Sequence, residues 1–187
     1  VQESALNHGN GKMWTYSCIG PKYPFPSFHV DDDTRTMRMV GWMAKSYDIT
    51  GYLYYEVNKY TAPDGGWVDV YSDAQRFNEC YGDGYLLYPG KYYNSSSPFV
   101  SLRLTAYRDS MDDYDMLCVY ESLLQEYAAQ NQSEEIEFGK YVQDLYDSMF
   151  KGFQSKEEDA LIYEARETLA KRILSLKNGE IPKESEE

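Results

Sequence analysis

The chain has 187 residues, 31 acidic against 18 basic, with a formal net charge of −13. A field of that sign repels polyanions and anionic membrane surfaces, which excludes nucleic acid as a partner and leaves neutral or cationic ligands. A hydrophobic fraction of 42% suffices for a globular core, and 20 tyrosines raise the aromatic fraction to 16%, suited to sugar clefts or protein interfaces.

The opening residues, VQESALNHGNG, lack the charged-then-apolar order of a signal peptide. They read as the end of a helix entering a glycine loop, as though the chain began inside a fold. Lys12 to Gly20 is the first expected strand. Alternation puts Met13, Thr15 and Ser17 on one face and Trp14, Tyr16 and Cys18 on the other. Pro21, Pro24 and Pro26 then impose an extended loop bearing Tyr23, Phe25 and Phe28, either a cleft lining or a stiff connector.

Asp31-Asp32-Asp33-Thr34 marks a helix start, where carboxylates meet the positive end of the dipole; the triplet lacks the spaced ligands of a calcium loop. Met37, Val40, Met43, Ala44 and Tyr47, at spacings of three and four, predict an amphipathic helix of about fourteen residues. Gly51 to Asn58 is the second strand, with Tyr52, Tyr54, Glu56 and Asn58 on one face. Glu56 and Asn58 form either a functional polar rim or a structural hydrogen-bond network. The stretch 59–80, with Pro63, Gly65 and Gly66, is a long loop that offers Trp67 and Tyr71 as a binding wall. A third short strand follows between the Gly82-Asp83-Gly84 turn and the Pro89-Gly90 stop.

Ser97 and Pro98, as cap and first turn, predict a helix from Pro98 to Ala129 with Met111, Tyr114, Leu117, Tyr120, Leu124 and Tyr127 as its buried stripe. Arg108 and Asp112 are spaced to pair on its surface. Two helices over Glu134–Phe150 and Lys156–Leu176 follow, the second with a seam of Ile162, Ala165, Leu169, Ile173 and Leu176, then an acidic tail. No apolar run approaches the roughly 18 residues that span a bilayer, so no membrane insertion is expected. Cys18, Cys80 and Cys118 exclude a disulfide-dense scaffold and a zinc ribbon, leaving one bridge or three thiols. His8 and His29 are too few for a zinc site, so neither metal nor cofactor is expected.

Four blocks in order carry a resemblance. W-x-Y-x-C-x-G-P-K-x-P-x-P-x-F from Trp14, G-Y-L-Y-Y-x-V-N from Gly51, G-D-G-Y-L-L-Y-P-G from Gly82 and S-L-R-L-T-A-Y-R-D-S-M-D-D-Y-D-M-L from Ser101 resemble the C-terminal part of the glycoside hydrolase family 123 catalytic domain. The resemblance covers residues 12 to about 124; beyond it the chain matches as helical tail. It implies an α/β fold, the last part of a TIM (β/α)8 barrel of about three strand-helix units over residues 1–130, with a helical extension over 131–187. It also implies a glycan substrate, hydrolysis of β-linked N-acetylgalactosamine assisted by the substrate's acetamido group, and an adjacent Asp-Glu pair as the acid/base. The chain contains no Asp-Glu dipeptide, so no catalytic residue is expected on it and a missing N-terminal barrel segment is required.

Trp14, Tyr16 and Tyr55 are then expected to stack on a pyranose, with Asn58 and Asp83 bonding its hydroxyls. Where the family usually reads Leu-Tyr-Trp, Leu53-Tyr54-Tyr55 has a smaller platform. A glycan-degrading role implies secretion or a cell-surface address. The alternative is a non-catalytic carbohydrate-binding or helical interaction module derived from the same fold.

Overall fold

The computed structural model describes residues 12–62, 64–77, 80–131, 136–156 and 160–185. The expectations for residues 1–11 with His8, for Pro63 and for the helix start at Glu134 lie outside the described residues.

Strand β1 (Met13–Ser17) pairs in parallel with β2 (Ile49–Tyr54), register Trp14 to Gly51 and Tyr16 to Leu53. The expected alternation holds: Ser17 is buried, Met13 and Thr15 are half-buried, and Trp14 and Tyr16 face outward. A parallel pair needs a crossover, which helices α1 (Arg35–Arg38) and α2 (Val40–Ser46) supply. The helix expected here thus comes in two pieces that join at Met39. Its start depends on Asp33, whose carboxylate accepts the Arg35 amide at 2.9 Å and pairs with the Arg35 side chain. That guanidinium holds the Asp33 carboxyl below its usual range.

The barrel expectation fails on the third strand. Just Leu87–Tyr88 (β5) is extended, and it pairs antiparallel with β6 (Phe99–Val100) instead of joining β1 and β2. Gly82 and Gly84 both take positive φ, so the segment turns where a strand would run on. Its backbone crosses the end of β2: the amides of Leu86 and Leu87 donate to the Val57 carbonyl at 2.8 and 3.0 Å, and the Lys59 amide donates to the Gly84 carbonyl at 2.8 Å. Ribbons β3–β4 (Gln75–Phe77, Cys80–Tyr81) and β7–β8 (Phe150–Lys151, Gln154–Ser155) are antiparallel as well. The described residues therefore form small sheets of two strands each beside a helical part, without a repeating strand-helix series.

Helix α3 (Leu102–Gln130) begins at Ser101, four residues beyond the expected cap, because Phe99 and Val100 are taken up by β6. Ser101 Oγ accepts the Leu104 amide at 3.2 Å, one of the donors a helix start leaves open. Arg108 pairs with Asp109 at 2.6 Å and not with Asp112. The helix runs between two clusters. One side packs Leu104, Tyr107 and Met111 against Phe28, Met37, Val40, Leu86 and the inner face of β2. Further along, Leu117, Tyr120 and Leu124 meet Trp42, Met43, helix α4 (Gln143–Met149) and helix α5 (Leu161–Lys177). The α5 seam is buried as its spacing requires: Ile162, Ala165, Leu169, Ile173 and Leu176. A 3₁₀ turn at Phe138–Tyr141 precedes α4, so the helix expected over 134–150 is shorter.

A buried charge cluster ties the helices together. Asp113, without exposed surface, meets Arg38 at 2.8 Å, the Trp42 indole N–H at 3.1 Å and Arg166 at 2.6 Å. Beside it Gly41 donates its amide to Ser110 Oγ at 2.6 Å, and a methyl group at Gly41 would run into the Ser110 carbonyl oxygen. Cys18, Cys80 and Cys118 are not joined in a disulfide, and Cys80 Sγ lies 3.5 Å from the Ile19 carbonyl oxygen.

Candidate functional site

At the carboxyl end of β2 the chain passes beneath the Gly82-Asp83-Gly84 turn. Asp83 is 0% exposed. Its Oδ1 accepts the Tyr54 hydroxyl at 2.8 Å, and the same hydroxyl oxygen accepts the Gly84 amide at 2.7 Å. One phenol thus bridges a carboxylate and a backbone donor, which locks its orientation. Gly84 also lets Tyr55 approach: any side chain there would strike the Tyr55 hydroxyl, which lies against the turn. Burial pushes the phenols of Tyr54 and Tyr55 upward, and the Asp83 charge adds to it. For Tyr54 the Gly84 bond opposes the rise without cancelling it. Both hydroxyls therefore remain donors at any physiological pH.

The outer face of the β1–β2 pair is aromatic and open to solvent. Trp14 is 66% exposed and Tyr16 47% exposed, next to exposed Leu53 and Tyr55. Trp14 lies flat over Gly51, whose missing side chain makes room for the indole. Tyr16 lies one residue pair nearer the turn; its phenol is raised by the neighbouring Cys18 thiol and further by the Asp83 charge. Tyr52, on the inner face, bonds Ser17 Oγ, and burial raises it strongly. His29 Nε2 lies 3.0 Å from the Cys18 carbonyl and anchors the loop that leaves β1.

The sequence-derived candidates fall into two groups. Tyr55, Asn58 and Asp83 converge: Asn58 forms a β-bridge with Tyr85, next to the turn that holds Asp83. Trp14 and Tyr16 belong to the exposed face, with Tyr16 and Tyr55 both within electrostatic reach of Asp83. Asp83 itself has no surface with which to touch a ligand, so its influence passes through the tyrosines. Glu56 pairs with Lys59 at 3.3 Å, which makes the end of β2 a structural network at that residue.

In the loop after β1, Phe25 lines a hollow of about 380 Å³ with Trp14, Tyr16 and Val40, whereas Phe28 is core. Trp67 and Tyr71 belong to an aromatic group elsewhere. Trp67 donates to the Tyr92 hydroxyl at 2.7 Å, and Tyr71 packs against Tyr88, Tyr92 and Tyr93. Tyr71 and Tyr93 line an open groove of about 630 Å³ that ends on Arg103.

Two participants are not among the sequence-derived candidates: Tyr54, which shares its strand face with Tyr52, Glu56 and Asn58, and Arg103, a cation between Leu102 and Leu104. Arg103 is 4% exposed. It donates to the carbonyls of Phe28, Gly82 and Tyr85 at 2.6, 2.7 and 2.8 Å and to the Tyr88 hydroxyl at 3.3 Å. Among the described residues no group of His, Cys, Asp and Glu is arranged to hold a metal ion.

A family model described as "Glycoside hydrolase 123, catalytic domain" matches residues 2–120. No curated protein matches the chain.

Proposed function

The chain belongs to the glycoside hydrolase 123 catalytic-domain family, and from that premise we propose that the Trp14–Tyr16–Tyr55 face is one wall of a cleft for β-linked N-acetylgalactosamine or a related N-acetylhexosamine. The observation that carries this reading is the exposure of large aromatic side chains on one sheet face, next to a turn whose buried carboxylate orients Tyr54 and whose Gly84 lies against the Tyr55 hydroxyl. Aromatic faces stack on the apolar side of a pyranose, and fixed hydroxyl donors at the rim select among sugar hydroxyls. Asn58 contributes its amide at that rim.

Cleavage in this reading follows a substrate-assisted retaining course. The sugar's acetamido oxygen attacks the anomeric carbon as the glycosidic bond breaks. An Asp-Glu pair orients that group and protonates the departing glycosidic oxygen. The pair then takes a proton from the water that opens the cyclic intermediate at the anomeric carbon, a variation on the two-carboxylate scheme. The absence of an Asp-Glu dipeptide supports placing the pair outside this chain. The burial of Asp83 and the ion pair of Glu56 agree with that, since neither is a free acid beside the wall. The same observation favours, as a second reading, a module that binds such sugars without cleaving them.

Substituting Trp14 or Tyr55 by Ala is expected to weaken binding of an aryl N-acetyl-β-galactosaminide about tenfold, with the melting temperature nearly unchanged for the exposed Trp14. Turnover that appears when the Asp-Glu-bearing part is supplied separates enzyme from binding module. Equal loss of folding and binding on Trp14→Ala would overturn the assignment of the wall.

A further inference from the structure

We propose that Arg103 is the positioning residue of this wall: its guanidinium grips the Gly82-Asp83-Gly84 turn on both sides and so sets, through Asp83 and Gly84, where the hydroxyls of Tyr54 and Tyr55 point. The inference rests on the reading that Tyr55 faces the glycan.

Arg103 sits at the second position of α3, close to the positive end of the helix dipole, where a cation is disfavoured. Its place is therefore explained by acceptors and not by helix stability. A buried guanidinium needs such acceptors, and here they come from separate stretches of chain. The carbonyls of Gly82 and Tyr85 bracket Asp83 and Gly84, the Phe28 carbonyl ties the turn to the loop after β1, and the Tyr88 hydroxyl closes the set. The cation also lies 5.4 Å from the centre of the Tyr85 ring. Gly82, at positive φ, leaves room for this approach, since a side chain there would meet the guanidinium.

A planar fork with fixed, diverging N–H groups can hold two carbonyls at a set separation; the single ammonium of lysine cannot. Arg103 makes no contact with the exposed aromatic face itself. It acts one step removed, by holding the backbone on either side of Asp83, which Tyr54 bonds, and of Gly84, against which the Tyr55 hydroxyl lies.

The test uses the full chain, with an aryl N-acetyl-β-galactosaminide as probe and tryptophan fluorescence as readout. Arg103→Lys is expected to weaken binding about tenfold. In a Tyr55→Phe background the same change should cost less than about twofold, because the path is already cut. Asp113→Asn, which strips a buried cluster distant from the turn, should lower the melting temperature yet leave affinity as it was. Should Arg103→Lys fail to fold, Tyr88→Phe removes just the longest of the four bonds and should weaken binding about twofold, again solely when Tyr55 keeps its hydroxyl. A loss of equal size in both backgrounds, or unchanged affinity, overturns the proposal.

Hydrogen exchange separates this failure from a failure of the glycan reading. If wild-type protein binds no probe, the wall is misassigned. The Gly84 and Lys59 amides should still exchange about tenfold faster in Arg103→Lys, with the middle of α3 unaltered. Unchanged exchange at those amides refutes the positioning role by itself.

Discussion

Replacing Tyr54 by Phe removes one oxygen atom and strands two polar groups. Asp83 Oδ1 loses its 2.8 Å donor and the Gly84 amide loses its 2.7 Å acceptor. The ring stays packed on Phe28, centroids 4.7 Å apart, so no cavity forms and the cost is polar. A hydrogen bond to a charged group contributes about 1.5–3 kcal/mol, and a buried donor left without a partner costs about 1–3 kcal/mol. Their sum, about 2.5–6 kcal/mol, is a large part of the roughly 5–15 kcal/mol that holds a domain folded. Urea unfolding followed by circular dichroism should show the midpoint fall with the slope unchanged. Asp83→Asn keeps an oxygen acceptor for Tyr54, so the double variant should lose less than the two single losses added, by about 0.5–3 kcal/mol. A loss below about 1 kcal/mol for Tyr54→Phe, or strict additivity in the cycle, would mean water replaces the phenol and would refute the claim that it locks the turn.

Asp113→Ala leaves Arg38, Arg166 and the Trp42 indole without their buried acceptor and should cost about 3–5 kcal/mol in thermal unfolding. Gly41→Ala should destabilise by about 1–3 kcal/mol although alanine is the better helix former, because the added methyl meets the Ser110 carbonyl; a stabilised variant would show that α2 can shift. Burial raises Tyr120 to about 12, while in the unfolded chain a tyrosine ionises near 10. Its contribution is whole below pH 10 and is lost as pH rises through 12, about 3 kcal/mol at roughly 1.4 per pH unit. Tyr120→Phe should accordingly flatten the alkaline limb of a stability–pH curve.

Local periodicity was legible in the chain alone. Alternation along Met13–Ser17 turned Trp14 and Tyr16 outward, and the spacing of Ile162, Ala165, Leu169, Ile173 and Leu176 marked the buried side of α5. Those patterns depend on side-chain direction within one element, which neighbouring residues determine. The family motifs were legible for a related reason: they are runs of consecutive residues.

Long-range pairing was not. Leu87–Tyr88 has the composition of an inner strand, yet it pairs with Phe99–Val100, and that choice also moved the helix cap from Ser97 to Ser101. Whether Asp83 faced a ligand or the interior depended on Tyr54, 29 residues away in sequence. Arg103 became readable solely through carbonyls up to 75 residues distant. A hydrogen bond to a backbone carbonyl leaves no mark on the identity of the residue that supplies it, so no pattern of side chains announces such a contact; the folded chain alone brings donor and acceptor together.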